Sequence, residues 1–221
     1  MAFDHTHTLG LPGLDHQIGF ASVKLTGALP PLLEAEQSLL TDGVAPKRRT
    51  EIQAGRHAAH LAMEDLGFPA SPVMRAPSRA PIWPTGLTGS ISHNDAYAVS
   101  IVSKLSAYRS LGIDIEEIEA LDRDLWSVIL RDSEYESLGN HPLPEAQSAK
   151  LVFSAKESLF KALFPLTGQF LDFQDVCVEL DFDRLEFNAS PARQGINIPS
   201  ETQGSFHVSD EMILSLVRVL P

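Results

Sequence analysis

Gly112-Ile113-Asp114-Ile115-Glu116 and, about forty residues further on, Phe153-Ser154-Ala155-Lys156-Glu157-Ser158-Leu159-Phe160-Lys161 decide how this chain is read. The first stretch alternates apolar and acidic residues, the period of a strand. Asp114 and Glu116 therefore share one face while Ile113 and Ile115 turn to the core. The second stretch has the period of a helix, with Glu157 and Lys161 one turn apart and Lys156 beside them. Asp114, Glu116 and Glu157, brought together, would repel one another unless a hard cation lay between them. Ligands that are all oxygen favour magnesium over zinc, and a magnesium held by few carboxylates keeps positions open for phosphate oxygens. Each stretch alone has a plainer reading: the solvated face of an edge strand, and an i,i+4 ion pair contributing a few tenths of a kcal/mol. Their joint occurrence, with the basic and Ser/His elements below, favours the phosphate chemistry.

Composition narrows the classes. A chain of 221 residues, 43% of them hydrophobic, can fill one sizeable domain or two lobes. Its formal charge of −12 argues against a nucleic-acid protein. Nine acidic residues lie between Asp114 and Glu136 against only Arg123 and Arg131, whereas Lys47-Arg48-Arg49 with Arg56 forms a compact basic island. Such an island suits a small, multiply charged anion. The single cysteine, Cys177, allows no internal disulfide and reads as a buried, inert thiol in a strand. Met1-Ala2-Phe3-Asp4-His5 lacks the features of a signal peptide, and no stretch has the apolar length of a membrane span. A cytoplasmic protein is expected.

Along the chain, Ile18–Val23 reads as a strand and Pro31–Leu40 as a short helix. A longer helix runs from Lys47 to Leu66 and stops at Gly67. Ser90-Ile91-Ser92-His93 and Tyr97–Val102 form a hairpin turned at Asn94-Asp95. Leu111–Glu116 is a strand, Leu121–Leu130 and Asp132–Leu138 are helical, and a long helix spans about Pro144 to Leu163. Val176–Leu180 is a further strand, and Ser205–Val208 with Met212–Leu220 is a closing hairpin turned at Asp210-Glu211. A lobe boundary near Tyr108–Ser110 separates residues 1–109 from 110–221; no sequence repeat is visible.

Cations at the start of a helix oppose its dipole unless an anion is bound, and arginine's fork matches phosphate. The basic island therefore reads as an anion site. Gly89-Ser90-Ile91-Ser92-His93 is not a nucleophile elbow, because His93 stands where glycine is required, and it lacks the Gly-Lys-Ser/Thr ending of a phosphate loop. Ser92 and His93 can still donate hydrogen bonds to a diphosphate. His5, His7, His16, His57, His60, His141 and His207 show no metal-ligand spacing.

The order of the basic helix, Pro81-Ile82-Trp83-Pro84, Gly89–His93, Gly112–Glu116 and Phe153–Ala162 resembles the 4′-phosphopantetheinyl transferases over roughly residues 45 to 180. It is most similar to the siderophore-synthase branch of their surfactin-type class. The resemblance implies an α+β fold, a pseudo-twofold monomer of two similar lobes with the coenzyme site in the cleft between them. It implies an N-terminal lobe, 1–109, binding the 3′-phosphate of coenzyme A through Arg48 and Arg56. The C-terminal lobe, 110–221, carries the magnesium carboxylates Asp114, Glu116 and Glu157. Ser92 and His93 match residues at the nucleotide end and diphosphate of coenzyme A, and Lys156 and Lys161 match lysines near the phosphates. Arg75, and less directly Arg79, lie along the coenzyme path; the family's Gly-Lys-Pro turn is replaced here by Ser78-Arg79-Ala80-Pro81.

The implied reaction is attack by a serine of an apo acyl or peptidyl carrier protein on the β-phosphate, with release of 3′,5′-ADP. Either Glu157 or a water on the metal takes the serine proton. The carriers of peptide synthetases, polyketide synthases and fatty-acid synthesis all fit. Because both proteins are acidic, docking is expected through an apolar patch drawn from Phe160, Leu163, Phe164 and Phe170 rather than by charge steering. Two other readings stand beside this one: a magnesium-dependent nucleotide phosphohydrolase, and a catalytically inert coenzyme-A-binding module.

Overall fold

Strand β1 (Ile18–Lys24) pairs antiparallel with β5 (Tyr97–Lys104), which also pairs with β4 (Leu87–His93), giving a three-stranded sheet of order β1-β5-β4. In this computed structural model the described residues are 14–41 and 43–221. Readings that fall on Met1–His5 and His7 lie outside them. The chain divides after Tyr108 into two compact units.

In the N-terminal unit, helix α1 (Pro46–Asp65) starts with proline at its first position, where the missing N–H costs nothing, and lies on β1 and β5. It buries Ala54, Ala58, Ala59, Ala62 and Met63, and these small residues let it approach closely. A Cβ on Gly19 would stand 2.1 Å from Ala62 O, so only glycine fits the strand there. The core adds Ala21, Val73, Leu87 and Val102. Residues 34–39 form a 3-10 turn where a short helix is expected, and two-residue strands β2 (Met74–Arg75) and β3 (Pro81–Ile82) pair around a turn in which Arg79 takes φ 74°.

The C-terminal unit has a five-stranded antiparallel sheet. Its strands are β6 (Ser110–Glu117), β7 (Val176–Asp181), β8 (Glu186–Pro191), β9 (Thr202–Val208) and β10 (Met212–Val219), in the order β6-β10-β9-β8-β7. Of these β8 is the strand the sequence reading lacks. Between β6 and the long helix, the stretch read as one helix over Leu121–Leu130 is a 3-10 turn and the four-residue α2 (Trp126–Ile129), followed by α3 (Asp132–Ser137). Helix α4 (Glu145–Thr167) lies on β6 and β10. It continues through Pro165 instead of stopping near Leu163, and ends at Gly168, whose φ of 64° is the left-handed cap conformation. The mixed helix and sheet content agrees with the α+β class.

Two stripes of α4 do different work. Val152, Ala155, Leu159 and Leu163 enter the core with Trp126, Ile129, Leu138, Val178 and Phe187. Lys150, Ser154, Glu157 and Lys161 recur at intervals of four, three and four, the spacing of one helical face. Gly112 is where this helix comes closest to β6: a Cβ there would lie 1.9 Å from Ser158 O.

Candidate active site

Residues on a strand alternate, so Gly112, Asp114 and Glu116 all face α4. Asp114 is consequently buried, not on a solvated edge, and Ile113 and Ile115 on the opposite face are buried as well. Lys161 Nζ donates to Asp114 Oδ1 at 2.6 Å, and Lys150 Nζ to Glu116 Oε2 at 3.3 Å. The acidic strand thus lies along a basic helical stripe. Glu157 belongs to that stripe, and Asp114 acts on both Glu157 and Glu116. Burial pushes the Glu157 carboxyl above its usual range, Lys161 opposes this, and the charge on Asp114 adds to it. Glu116 is raised likewise, by burial first and then by Asp114, against Lys150 and Lys161. Among the described residues no three His, Cys, Asp or Glu side chains stand close enough to hold a metal ion as placed. Lys161 and Lys150 supply the positive charge instead.

Lys156 has a setting different from the phosphate-facing one implied by resemblance. Its ammonium is inside the unit, donating to Glu134 Oε2 at 2.7 Å and to Ile129 O and Phe173 O, both at 2.8 Å. Beside it a cavity of about 310 Å3 is lined by Val128, Glu157, Phe160, Phe170, Phe173 and Val176, among others. Phe170 is exposed at its mouth and meets Phe160 edge-on. Leu163, expected in an exposed docking patch, is buried in the core because the helix continues past it. Cys177 is half-buried rather than fully enclosed, with Sγ 3.5 Å from Ser133 Oγ.

The N-terminal unit brings its cations together. Arg48, in the first turn of α1, donates through Nη1 to Glu51 Oε2 and to His93 Nε2, each at 3.0 Å. A guanidinium has no acceptor, so Nε2 receives the bond and the imidazole proton lies on Nδ1. Arg56 donates to Met74 O, while its Nε is buried without a hydrogen-bond partner. Burial, with Arg75 and Arg48 adding repulsion against Glu36, pushes the Arg56 guanidinium down to about 10. Arg56 is therefore held close to two other guanidinium groups with one donor unpartnered, a setting in which an anion would relieve both costs. Ser92 is buried in β4, and Arg75 and Arg79 are exposed.

Three partners of these residues escaped the sequence reading: Glu51 under Arg48, Lys150 on Glu116 and Glu134 on Lys156. Lys150 had a signal, since it lies seven before Glu157 on the same stripe. Glu134 had one too, being three after Arg131 at a helix start, the spacing of a capping box.

Comparison with known proteins agrees with this architecture. Residues 35–103 match the model of the 4′-phosphopantetheinyl transferase N-terminal domain, and residues 110–210 that of the 4′-phosphopantetheinyl transferase superfamily. The chain is 34% identical to the 4′-phosphopantetheinyl transferase PptT of Mycobacterium tuberculosis, over 70% of this chain and 67% of that protein. Similarity to the transferase Svp of Streptomyces mobaraensis is 35% over 72% of this chain and 65% of the relative. With enterobactin synthase component D of Escherichia coli it is 36%, over 76% of this chain and 81% of the relative. With both units matched and relatives aligned along most of the chain, this protein belongs to the 4′-phosphopantetheinyl transferase superfamily.

Proposed function

We propose that the chain carries out a magnesium-dependent transfer of the 4′-phosphopantetheine arm of coenzyme A to a serine of an apo carrier protein, releasing 3′,5′-ADP. The observation that carries this reading is the position of Glu157 on the wall of an apolar cavity, electrostatically coupled to Asp114. An uncharged amide arm suits that lining, and a carboxylate with raised proton affinity suits acceptance of a serine proton.

Asp114, Glu116 and Glu157 are all-oxygen donors, with Asp114 raising the cost of charge on both glutamates, and drawn together they are the residues that would hold magnesium. The bound ion would supply charge neutralisation at the diphosphate. In the N-terminal unit, Arg48, Arg56 and Arg75 bind the 3′-phosphate, with His93 aligned by Arg48 and Ser92 beside it on the strand. In the C-terminal unit, Lys161 leaves its contact with Asp114 to meet phosphate oxygen. The serine oxygen bonds to the β-phosphorus, its proton passes to Glu157, and the bond from that phosphorus to the bridging oxygen breaks, so the electron pair departs with 3′,5′-ADP.

Relatives that include a component of an enterobactin synthase support a carrier domain of a biosynthetic synthase as the acceptor. Neither the phosphohydrolase nor the inert module draws support from them. The test is the intact mass of an apo carrier incubated with the protein, coenzyme A and magnesium, with a parallel sample in EDTA. A gain of one phosphopantetheine, abolished by EDTA, is expected. Coenzyme A cleavage without a carrier would identify a hydrolase, and an unchanged carrier mass would refute transfer.

A further inference from the structure

The walls of the C-terminal cavity come from separate segments, and one ammonium ties them together. Val128 precedes Ile129, whose carbonyl accepts from Lys156 Nζ; Phe173 lines the cavity and accepts through its own carbonyl. Glu134 takes the third bond, at 2.7 Å, and extends the network. Its Oε1 accepts from Val178 N and its Oε2 from Arg131 N, both at 2.7 Å, which fixes β7 and the start of α3. Val176, two residues before Val178, also lines the cavity.

The side chains of Lys156 and Glu134 are 1% and 0% exposed. An ammonium has three N–H donors, and all three are used here. For Lys156 to reach a phosphate it would have to abandon Ile129, Phe173 and a buried carboxylate, leaving that charge unpaired. Lys156 also precedes Glu157 directly, and the two point about 100° apart around the helix. Anchoring Lys156 therefore fixes the rotation of α4 at which Glu157 meets the cavity.

We infer that Glu134 and Lys156 are positioning residues which set the walls of the cavity that receives the phosphopantetheine arm, and that neither touches the phosphates of coenzyme A. This rests on the coenzyme A reading above.

The experiment compares calorimetric binding of coenzyme A and of 3′,5′-ADP, which lacks the arm, in wild type, Lys156→Met and Glu134→Gln. Both variants are expected to weaken coenzyme A by about tenfold, the scale of one lost charged hydrogen bond, and to leave 3′,5′-ADP within about twofold. In transfer assays the loss appears in KM for coenzyme A as well as in kcat. Equal losses for the two ligands in Lys156→Met, with Glu134→Gln unaffected, would overturn the inference in favour of a phosphate contact. A wild-type protein that binds neither ligand would instead overturn the coenzyme A reading itself. Should the variants fail to fold, reductive methylation of the wild type decides. Lys156 is expected to stay unmodified with and without coenzyme A while exposed Lys104 reacts. Modification of Lys156 in the free protein and its protection by 3′,5′-ADP would overturn the inference.

Discussion

Replacing Gly112 by alanine tests how the acidic strand and the long helix make one site. The added Cβ would lie 1.9 Å from Ser158 O, 2.8 Å from Ala162 N and 3.0 Å from Ala162 Cβ, where ordinary contact begins near 3.4 Å. The two nearest atoms are helix backbone, so no rotamer change relieves them and α4 must retreat from β6 by about 1.5 Å. That retreat loosens the packing of Ala155, Leu159, Ala162 and Leu163, all essentially inaccessible in the native unit. Overpacking against a rigid neighbour costs about 1–3 kcal/mol, and backbone atoms put this case at the upper end. For a chain of this size the melting temperature should fall by roughly 6–12 °C.

The catalytic consequence is larger than the loss of stability. Lys161 is 2.6 Å from Asp114, and Glu157 shares that helical stripe. A misplacement of about 1 Å can cost on the order of a hundredfold in rate. Transfer by Gly112→Ala should therefore fall by about that factor at a temperature where the variant is still folded. Gly195→Ala is the control: its φ of 86° makes alanine unfavourable, but no atom lies within 4 Å. It should lose about 1–2 kcal/mol from backbone strain alone and keep its transfer rate. A Gly112→Ala protein with wild-type melting and wild-type transfer would refute the close seating of α4 on β6.

Three further outcomes are expected. Glu157 holds its proton to higher pH in the folded chain than in the unfolded one, so stability falls as pH rises from the ordinary value of 4.5 through the folded value. Glu157→Gln should flatten that fall in urea titrations run in EDTA, gaining stability relative to wild type at neutral pH while losing transfer; an unaltered slope or a retained rate would count against the assignment. Arg56→Ala should weaken coenzyme A by roughly 10- to 150-fold, from the loss of a charged contact of about 1.5–3 kcal/mol, and dephospho-coenzyme A far less; equal losses by calorimetry would place this arginine elsewhere. Phe170→Ala should raise the KM for the carrier protein, which should vary little between low and moderate salt; a steep rise with salt and no effect of the variant would mean that charge governs docking.

Periodicity made the main supports legible. Alternation in Leu111–Glu116 and the helical spacing of Glu157 and Lys161 located β6 and α4, and Asn94-Asp95 and Asp210-Glu211 located two hairpin turns. Alternation says which residues share a face, but not what covers it, so Asp114 read as solvated when α4 lies over it. Strand β8, Glu-Phe-Asn-Ala-Ser-Pro, carries one large apolar residue and gives little period to detect. The expected end of α4 near Leu163 falls two residues before Pro165, but the helix runs on through that proline. Proline removes one N–H, yet Gly168 N still bonds Phe164 O at 2.8 Å, so the last turn survives and Leu163 stays inside. Glu134 pairs with a residue 22 positions away, a contact that only the tertiary fold creates. Glu51, in contrast, lies three after Arg48 on the same helix, a spacing already present in the sequence.

The two motifs therefore form a single mechanical unit whose residues have separable duties. Gly112 admits the helix, and Ser154 and Ser215, hydrogen-bonded at 2.8 Å, keep it close to β10. Asp114 and Glu116 then meet Lys161 and Lys150 on the approaching stripe, because the strand and this helical face run side by side in opposite directions. Glu157 falls between those two lysines on the same face, where it couples to Asp114 and also reaches the cavity wall. Lys156, one residue earlier, points about 100° away around the helix, borders the same cavity and is anchored by Glu134. A short run of charged residues that reads as uniformly catalytic thus divides according to helical phase. In the proposed assignment the residues in phase with β6 serve phosphate, metal and proton, while the one out of phase builds the wall beside them.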